Sequence, residues 1–151
     1  MNLGSPHERT DSYALVVFGD ILTPTGSMPA DVIFTRLTAG ARWYLRRAPK
    51  MLSQGTRILF YQISVGVRGQ ARVVSVVPDS TNVIGGTLVS MSFASRVDLD
   101  EIISYSKPIP LAASVPELNF IKNKVYWGHS LRTSPRKISR SDYNLIVSQA
   151  K

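Results

Sequence analysis

A chain of 151 residues that is 44% hydrophobic and 19% charged has enough apolar content for one packed core and too little charge to remain disordered. It has no cysteine, which excludes disulfides and thiolate metal sites and fits a reducing compartment; its two histidines, His7 and His129, are too few and too isolated for a zinc site. Eighteen Lys and Arg against ten Asp and Glu leave a net charge of +8, which either aids solubility or meets a polyanion such as RNA or DNA.

Residues 1–12 are polar, mix both charges and read as a flexible tail ahead of a single domain over residues 13–151. No apolar run approaches the length of a bilayer span, so the expectation is a soluble, cytoplasmic protein without a membrane partner. Tyr13-Ala-Leu-Val-Val-Phe18 is a β-branched and aromatic run closed by Gly19-Asp20, the pattern of a buried strand. Ser27 is placed to cap a helix with Pro29 and Asp31 in its first turn and Ile33, Phe34 and Leu37 on one face, ended by Gly40. Trp43-Tyr-Leu45 predicts a short strand that Ala48-Pro49 stops.

Arg57-Ile-Leu-Phe-Tyr-Gln-Ile63 and Gln70-Ala-Arg-Val-Val-Ser-Val-Val77, joined through Val65-Gly-Val-Arg-Gly69, predict a hairpin whose pairing Pro78 ends. Further strands are expected over residues 87–93 and 102–105, with a rigid bend at Lys107-Pro-Ile-Pro110. Ser114-Val-Pro-Glu117 has capping-box spacing and predicts a short helix through Phe120. Ser139-Arg-Ser-Asp142 repeats that spacing, and Ile138 and Tyr143 fall at the two staple positions, so a last helix runs from about Arg140 towards Ser148. Five or six short strands and about three peripheral helices define an α+β domain built on a small, strongly bent mixed sheet or open barrel.

Motifs for self-contained catalysis are missing. No glycine run ends in Gly-Lys-Ser or Gly-Lys-Thr, Gly66-Val-Arg-Gly69 fails the dinucleotide fingerprint, and no serine stands in a nucleophile elbow. Asp98-Leu-Asp-Glu101 is the one acidic cluster and reads as a solvated loop rather than a divalent-ion site. We therefore expect no catalytic residue, no metal and no cofactor, and more a binding domain than an enzyme.

The distinctive feature is aromatic residues interleaved with arginine: Trp43 and Tyr44 among Arg42, Arg46 and Arg47, then Phe60 and Tyr61 between Arg57 and Arg68, with Arg72 beyond. Aromatic rings stack on unstacked bases while guanidinium groups bind phosphates, so this mixture suits a single-stranded or flipped base. Strand alternation sends Phe60 and Tyr61 to opposite faces, so at least one of them belongs to a core.

The stretch from Met51-Leu-Ser-Gln-Gly through Arg57-Ile-Leu-Phe-Tyr-Gln-Ile-Ser64 to Gly69-Gln-Ala-Arg-Val73 resembles the central signature of EVE domains, with Thr56 in place of the usual acidic residue and Gln62-Ile63 in place of a histidine. EVE domains belong to the PUA-like superfamily with the YTH and ASCH domains, and the order of strand, helix, tryptophan strand and hairpin is similar to theirs. Trp43 matches by position the tryptophan that walls the YTH cage for a methylated base; no tryptophan occupies the loop that supplies the second wall, and Trp127 or Tyr126 is left to close the pocket. Gly40-Ala-Arg-Trp-Tyr-Leu-Arg-Arg47 is similar to the Gly-x-Lys-x-x-Glu-x-Arg element of hydrolytic ASCH relatives, but has Arg42 for the lysine and Leu45 for the glutamate. Arginine stays protonated and leucine exchanges no proton, so that chemistry loses both its groups.

The resemblance implies a nucleic-acid-binding domain, for RNA or DNA, that reads one base, methylated, otherwise modified or plain. Trp43, Tyr44, Phe60, Tyr61, Ser64 and Trp127 would hold the base, and Arg42, Arg46, Arg47, Arg68 and Arg72 the phosphates, with residues 132–137 either extending that track or forming an ordinary loop. Two other readings stay open: an enzyme acting on a nucleoside or RNA through Tyr61, His129 or the Asp98 cluster, and a small protein-interaction domain. The sequence leaves the oligomeric state undetermined.

Overall fold

The computed structural model describes residues 12–47, 49–122, 124–125, 127–128 and 134–150. The expected tail up to residue 11, and Tyr126, His129 and Arg132, lie outside the described residues. Eight strands are described: β1 (Tyr13–Phe18), β2 (Ile21–Thr23), β3 (Gly26–Met28), β4 (Arg42–Leu45), β5 (Arg57–Gln62), β6 (Gly66–Ile84), β7 (Thr87–Ile109) and β8 (Arg136–Ile138). Helix α1 (Ala30–Ala39) follows β3, a 3-10 helix (Ala112–Glu117) follows β7, and α2 (Arg140–Val147) is the last described element. Six strands form one mixed sheet in the order β4-β7-β6-β5-β1-β8, and β2 and β3 form a separate hairpin.

The parallel pair β1–β5 lies near the middle of this sheet, in register from Tyr13 opposite Arg57 to Phe18 opposite Gln62. Parallel neighbours need a long crossover, here supplied by the β2–β3 hairpin, α1 and β4. Alternation divides the buried side chains between two cores. Ala14, Val16, Phe18, Ile58 and Phe60 face α1, whose Ile33, Phe34 and Leu37 close that side. Leu15, Leu59 and Tyr61 face the 3-10 helix, residues 118–121 and α2. Cover on both faces explains why β5 reads as an almost unbroken apolar run rather than an alternating one.

β6 and β7 outgrow the rest of the sheet. β5 pairs with β6 only as far as Arg72, and beyond that point β6 and β7 continue as a ribbon that curls over α1 and buries Ile84, Val89 and Phe93 in the first core. At the tip, Arg36 on α1 donates to the Gly85 carbonyl at 3.2 Å and to Thr87 Oγ1 at 2.9 Å. Gly69 is required by close approach: a Cβ there would meet the Ile103 carbonyl oxygen at 2.5 Å and the Phe34 ring at 3.0 Å.

Several expectations are corrected. Ser27 belongs to β3 and does not cap α1; Asp20 Oδ1 instead accepts the Ala30 N–H at 2.8 Å. Pro78 does not end β6: β5 pairs with β6 no further than Arg72, so β6 is an edge of the sheet there, where proline is tolerated, and Pro78 still faces Ser95 on β7. The strands expected over residues 87–93 and 102–105 are one strand, β7, which also takes in Pro108. Asp98, Asp100 and Glu101 are therefore strand residues rather than a loop. Residues 112–117 form a 3-10 helix with Ser114 inside it rather than capping it; the Ser114 hydroxyl accepts from Gln149 Nε2 at 2.6 Å.

On β6 and β7 the acidic residues pair with arginine. Arg72 binds Asp100 through two hydrogen bonds of 2.9 and 2.6 Å and reaches Glu101 at 3.4 Å, while Arg96 binds Asp98 at 2.9 Å and Asp79 at 3.3 Å. The Arg72 guanidinium holds the Asp100 carboxyl below the usual carboxylate range, and Arg96 does the same for Asp98. Carboxyls lowered in the folded state stabilise it above their unfolded pKa, about 4, and that contribution disappears as pH falls through the lower folded value. Thermal unfolding followed from pH 7 to pH 2 is thus expected to show a midpoint that falls below roughly pH 4, with a smaller acid-induced fall in Arg72→Ala. An equal fall in that variant would mean that the exposed pairs contribute nothing, as screened surface pairs often do.

Candidate nucleic-acid interface

β1 and β5 end side by side at Phe18 and Gln62, and from there the chain departs in two directions. β1 turns through Gly19 and Asp20 into the β2–β3 hairpin; β5 turns back through residues 63–65, with the Ile63 N–H donated to the Phe18 carbonyl at 2.9 Å and the Val65 N–H to the Gln62 carbonyl at 3.0 Å. Diverging loops at the carboxyl ends of parallel strands leave a crevice, the usual position for a ligand in open sheets with this feature. Ser134 borders the crevice by lying against β1, where its Oγ accepts the Val17 N–H at 2.8 Å.

The crevice has two arms, both lined by Val17 and Ser134. The first, of about 810 Å³, runs between the end of β1, α1, β4 and the curled ribbon, and is lined by Trp43, Tyr44, Arg46, Arg47, Met51 and Phe93 among others. The second, of about 620 Å³, lies on the opposite side of β1, against Tyr61, Ile63, Ser64, Trp127 and Gly128. Burial raises the Tyr61 phenol above its ordinary pKa, so it enters this arm as a neutral donor and acceptor.

The expected site residues are thereby divided. Phe60 is corrected outright: it is 0% exposed and packs against Trp43 and Phe34, at ring-centre distances of 4.7 and 5.6 Å, so it belongs to the first core and walls no pocket. Trp43 borders the first arm but is only 4% exposed, its ring enclosed by Phe18, Phe34 and Phe60. Tyr44 is half-buried, lines the first arm and meets Phe93 edge-on at 6.4 Å. Tyr61, Ser64 and Trp127 share the second arm. The sequence pattern placed all of these round one pocket; the structure puts Phe60 in the core and divides the others between two arms.

The arginines divide as well. Arg46 and Arg47 are exposed and line the first arm, and no ion pair involves either of them among the described residues. Arg68 pairs with Asp31, hydrogen-bonds Gln62 and lies over the Phe34 ring, which lowers the Asp31 carboxyl rather than presenting a free cation. Arg72 is committed to Asp100 and Glu101, and Arg42 lies opposite Asp98 in the register of β4 and β7; none of these three lines either arm. Residues that sequence reasoning missed are Ser134, Met51, Met91 and Phe93. A serine before proline in a basic segment carries no sign that it returns to β1, more than a hundred positions away, and the two methionines resemble any core filler. Among the described residues no group of His, Asp or Glu is placed to hold a metal ion, and no helix is long and apolar enough to cross a membrane.

No protein-family model matches the chain. A stretch of 40 residues is 48% identical to the UPF0310 protein in the gntR 5' region of Bacillus licheniformis, a match that spans 26% of this chain and 27% of that relative. Solved structures extend the likeness over the whole fold. The ASCH protein of Zymomonas mobilis superposes with a TM-score of 0.58 at 13% identity over 92% of this chain and 96% of that one, and a point mutant of the same protein with a TM-score of 0.61. Rpa0253 of Rhodopseudomonas palustris gives 0.52 at 20% identity, over 92% of both chains. At these identities the likeness establishes the fold alone, a PUA-like architecture similar to that of the solved ASCH structures.

Proposed function

We propose that this PUA-like domain binds nucleic acid and takes one unstacked base, modified or plain, into the first arm of the crevice. The observation that carries the reading is the combination found there: two arginines that have no carboxylate partner among the described residues, beside an aromatic and sulfur-rich wall. Four other arginines, Arg57, Arg68, Arg72 and Arg96, already face carboxylates, so the surplus charge of the described surface is expressed at sites such as Arg46 and Arg47. Tyr44 offers the ring on which a base stacks, Met51 and Met91 adapt to its outline, and Arg46 and Arg47 meet the adjoining phosphates.

The test is binding of short single-stranded oligonucleotides, with and without methylated bases, across a salt series. The double variant Arg46→Ala/Arg47→Ala is expected to weaken binding to all sequences alike and to reduce the slope of log affinity against log salt by about 1.4, roughly 0.7 for each single-strand phosphate that is no longer neutralised. Tyr44→Ala is expected to cost about 1–3 kcal/mol per stacked base and to reduce any preference among bases. Binding with no salt dependence, or unaffected by these variants, would move the function to protein recognition.

A further inference from the structure

The second arm differs chemically from the first. Its described lining of Val17, Tyr61, Ile63, Ser64, Trp127 and Ser134 carries no charged side chain, so a phosphate would give up water there without meeting a counter-charge from these residues. A flat, uncharged ring meets no such cost and is suited to the two aromatic residues. Ser64 is the one non-glycine residue in the turn after β5 with a positive φ, at 65°, a conformation that costs a serine more than a glycine. Ser134 Oγ already serves the Val17 N–H, whereas no hydrogen bond involves the Ser64 hydroxyl among the described residues, which leaves it available to a ring edge.

The arms also meet. They share Val17 and Ser134, and the Ile63 side chain of the second arm lies over Gly19 of the first, 3.1 Å from the place a Cβ would take. Ile63 is 56% exposed, a large apolar side chain left in water at this junction. We propose that the second arm is the subsite for the base of the adjacent nucleotide, so that the crevice accepts a single-stranded dinucleotide step with its two bases parted by β1 and Ser134. The inference rests on the reading of the first arm as a nucleotide site. A duplex is excluded as ligand on this geometry, because two bases held in separate arms are neither stacked nor paired.

The experiment compares, by calorimetry at low salt, a 5'-mononucleotide, the corresponding 5'-phosphorylated dinucleotides and dinucleotides with one abasic position, on the parent protein, Trp127→Ala and Ile63→Ala. The parent is expected to bind a dinucleotide at least about tenfold more tightly than the mononucleotide, with an abasic position abolishing the gain. Trp127→Ala should lose most of that gain and Ile63→Ala part of it, while both keep the parent's affinity for the mononucleotide. Because Ile63 is largely exposed, its variant gives a readout even if Trp127→Ala folds poorly. A dinucleotide gain that persists in both variants, or no gain in the parent, overturns the subsite while leaving the first arm intact. Failure of every nucleotide and of longer oligonucleotides to bind overturns the reading of the first arm and this inference with it.

Discussion

Phe60→Ala is expected to lower the free energy of unfolding by about 3–5 kcal/mol, a large share of the total for a domain of this size. Phe60 is fully buried on a central strand, with Trp43 and Phe34 as ring neighbours at 4.7 and 5.6 Å. Opposite it on β6 stands Gly69, which has no side chain to move into a vacancy and is pressed against the Ile103 carbonyl. The walls of the resulting cavity are paired strands and one helix, which relax little, so the cavity cost adds to the forfeited transfer free energy. Urea unfolding should show a lower midpoint with an unchanged slope. The folded fraction should bind oligonucleotide with the parent's affinity, in contrast to Tyr44→Ala, which is expected to weaken binding with little loss of stability. A loss under about 1 kcal/mol for Phe60→Ala would mean that the residue is not part of the core.

This contrast between buried and pocket-lining aromatics marks how far the sequence was legible. Alternation along Arg57–Gln62 shows that Phe60 and Tyr61 face opposite ways, and the apolar runs locate β1, β5 and the face of α1. Which face carries a crevice depends on where neighbouring strands end, and no local pattern encodes that. The fate of Pro78 is similar: proline disrupts a ladder only where its N–H would be used, and β5 stops short of that point. Arg72 looks like a free cation until the register of β6 and β7 brings Asp100 beside it, 28 residues on. Asp20 and Ser27 are both competent caps for α1, and the β2–β3 hairpin decides between them by taking Ser27 into a strand. The resemblance to PUA-like domains supplied the long-range order that periodicity lacks, and the solved structures bear out that architecture.

Asp142→Ala is expected to cost about 3 kcal/mol, through an interaction that the capping-box spacing only half describes. Ser139 caps α2 as that spacing predicts, accepting the Asp142 N–H at 3.1 Å. The Asp142 carboxylate, 1% exposed, does not return to the cap; it accepts the Asn119 N–H at 2.8 Å and the Phe120 N–H at 3.0 Å. It therefore fastens the segment that carries Leu118, Phe120 and Ile121 of the second core to the start of α2. Alanine would leave two backbone donors without an acceptor, one of them buried, at about 1–3 kcal/mol each before any relaxation. Asp142→Asn keeps one acceptor oxygen and should lose about half as much. Amide hydrogen exchange would separate this tether from a general loss of packing, since Asn119 and Phe120 should exchange faster before the strands of the sheet do. Trp127 packs against the same core a few residues further on, so loosening the segment should also weaken the dinucleotide gain of the second arm while sparing mononucleotide binding in the first. Unchanged stability in Asp142→Ala would show that the carboxylate is readily replaced by water, and would leave the 3-10 helix and α2 held by apolar packing and by side-chain hydrogen bonds such as Gln149–Ser114 and Asn119–Ser141.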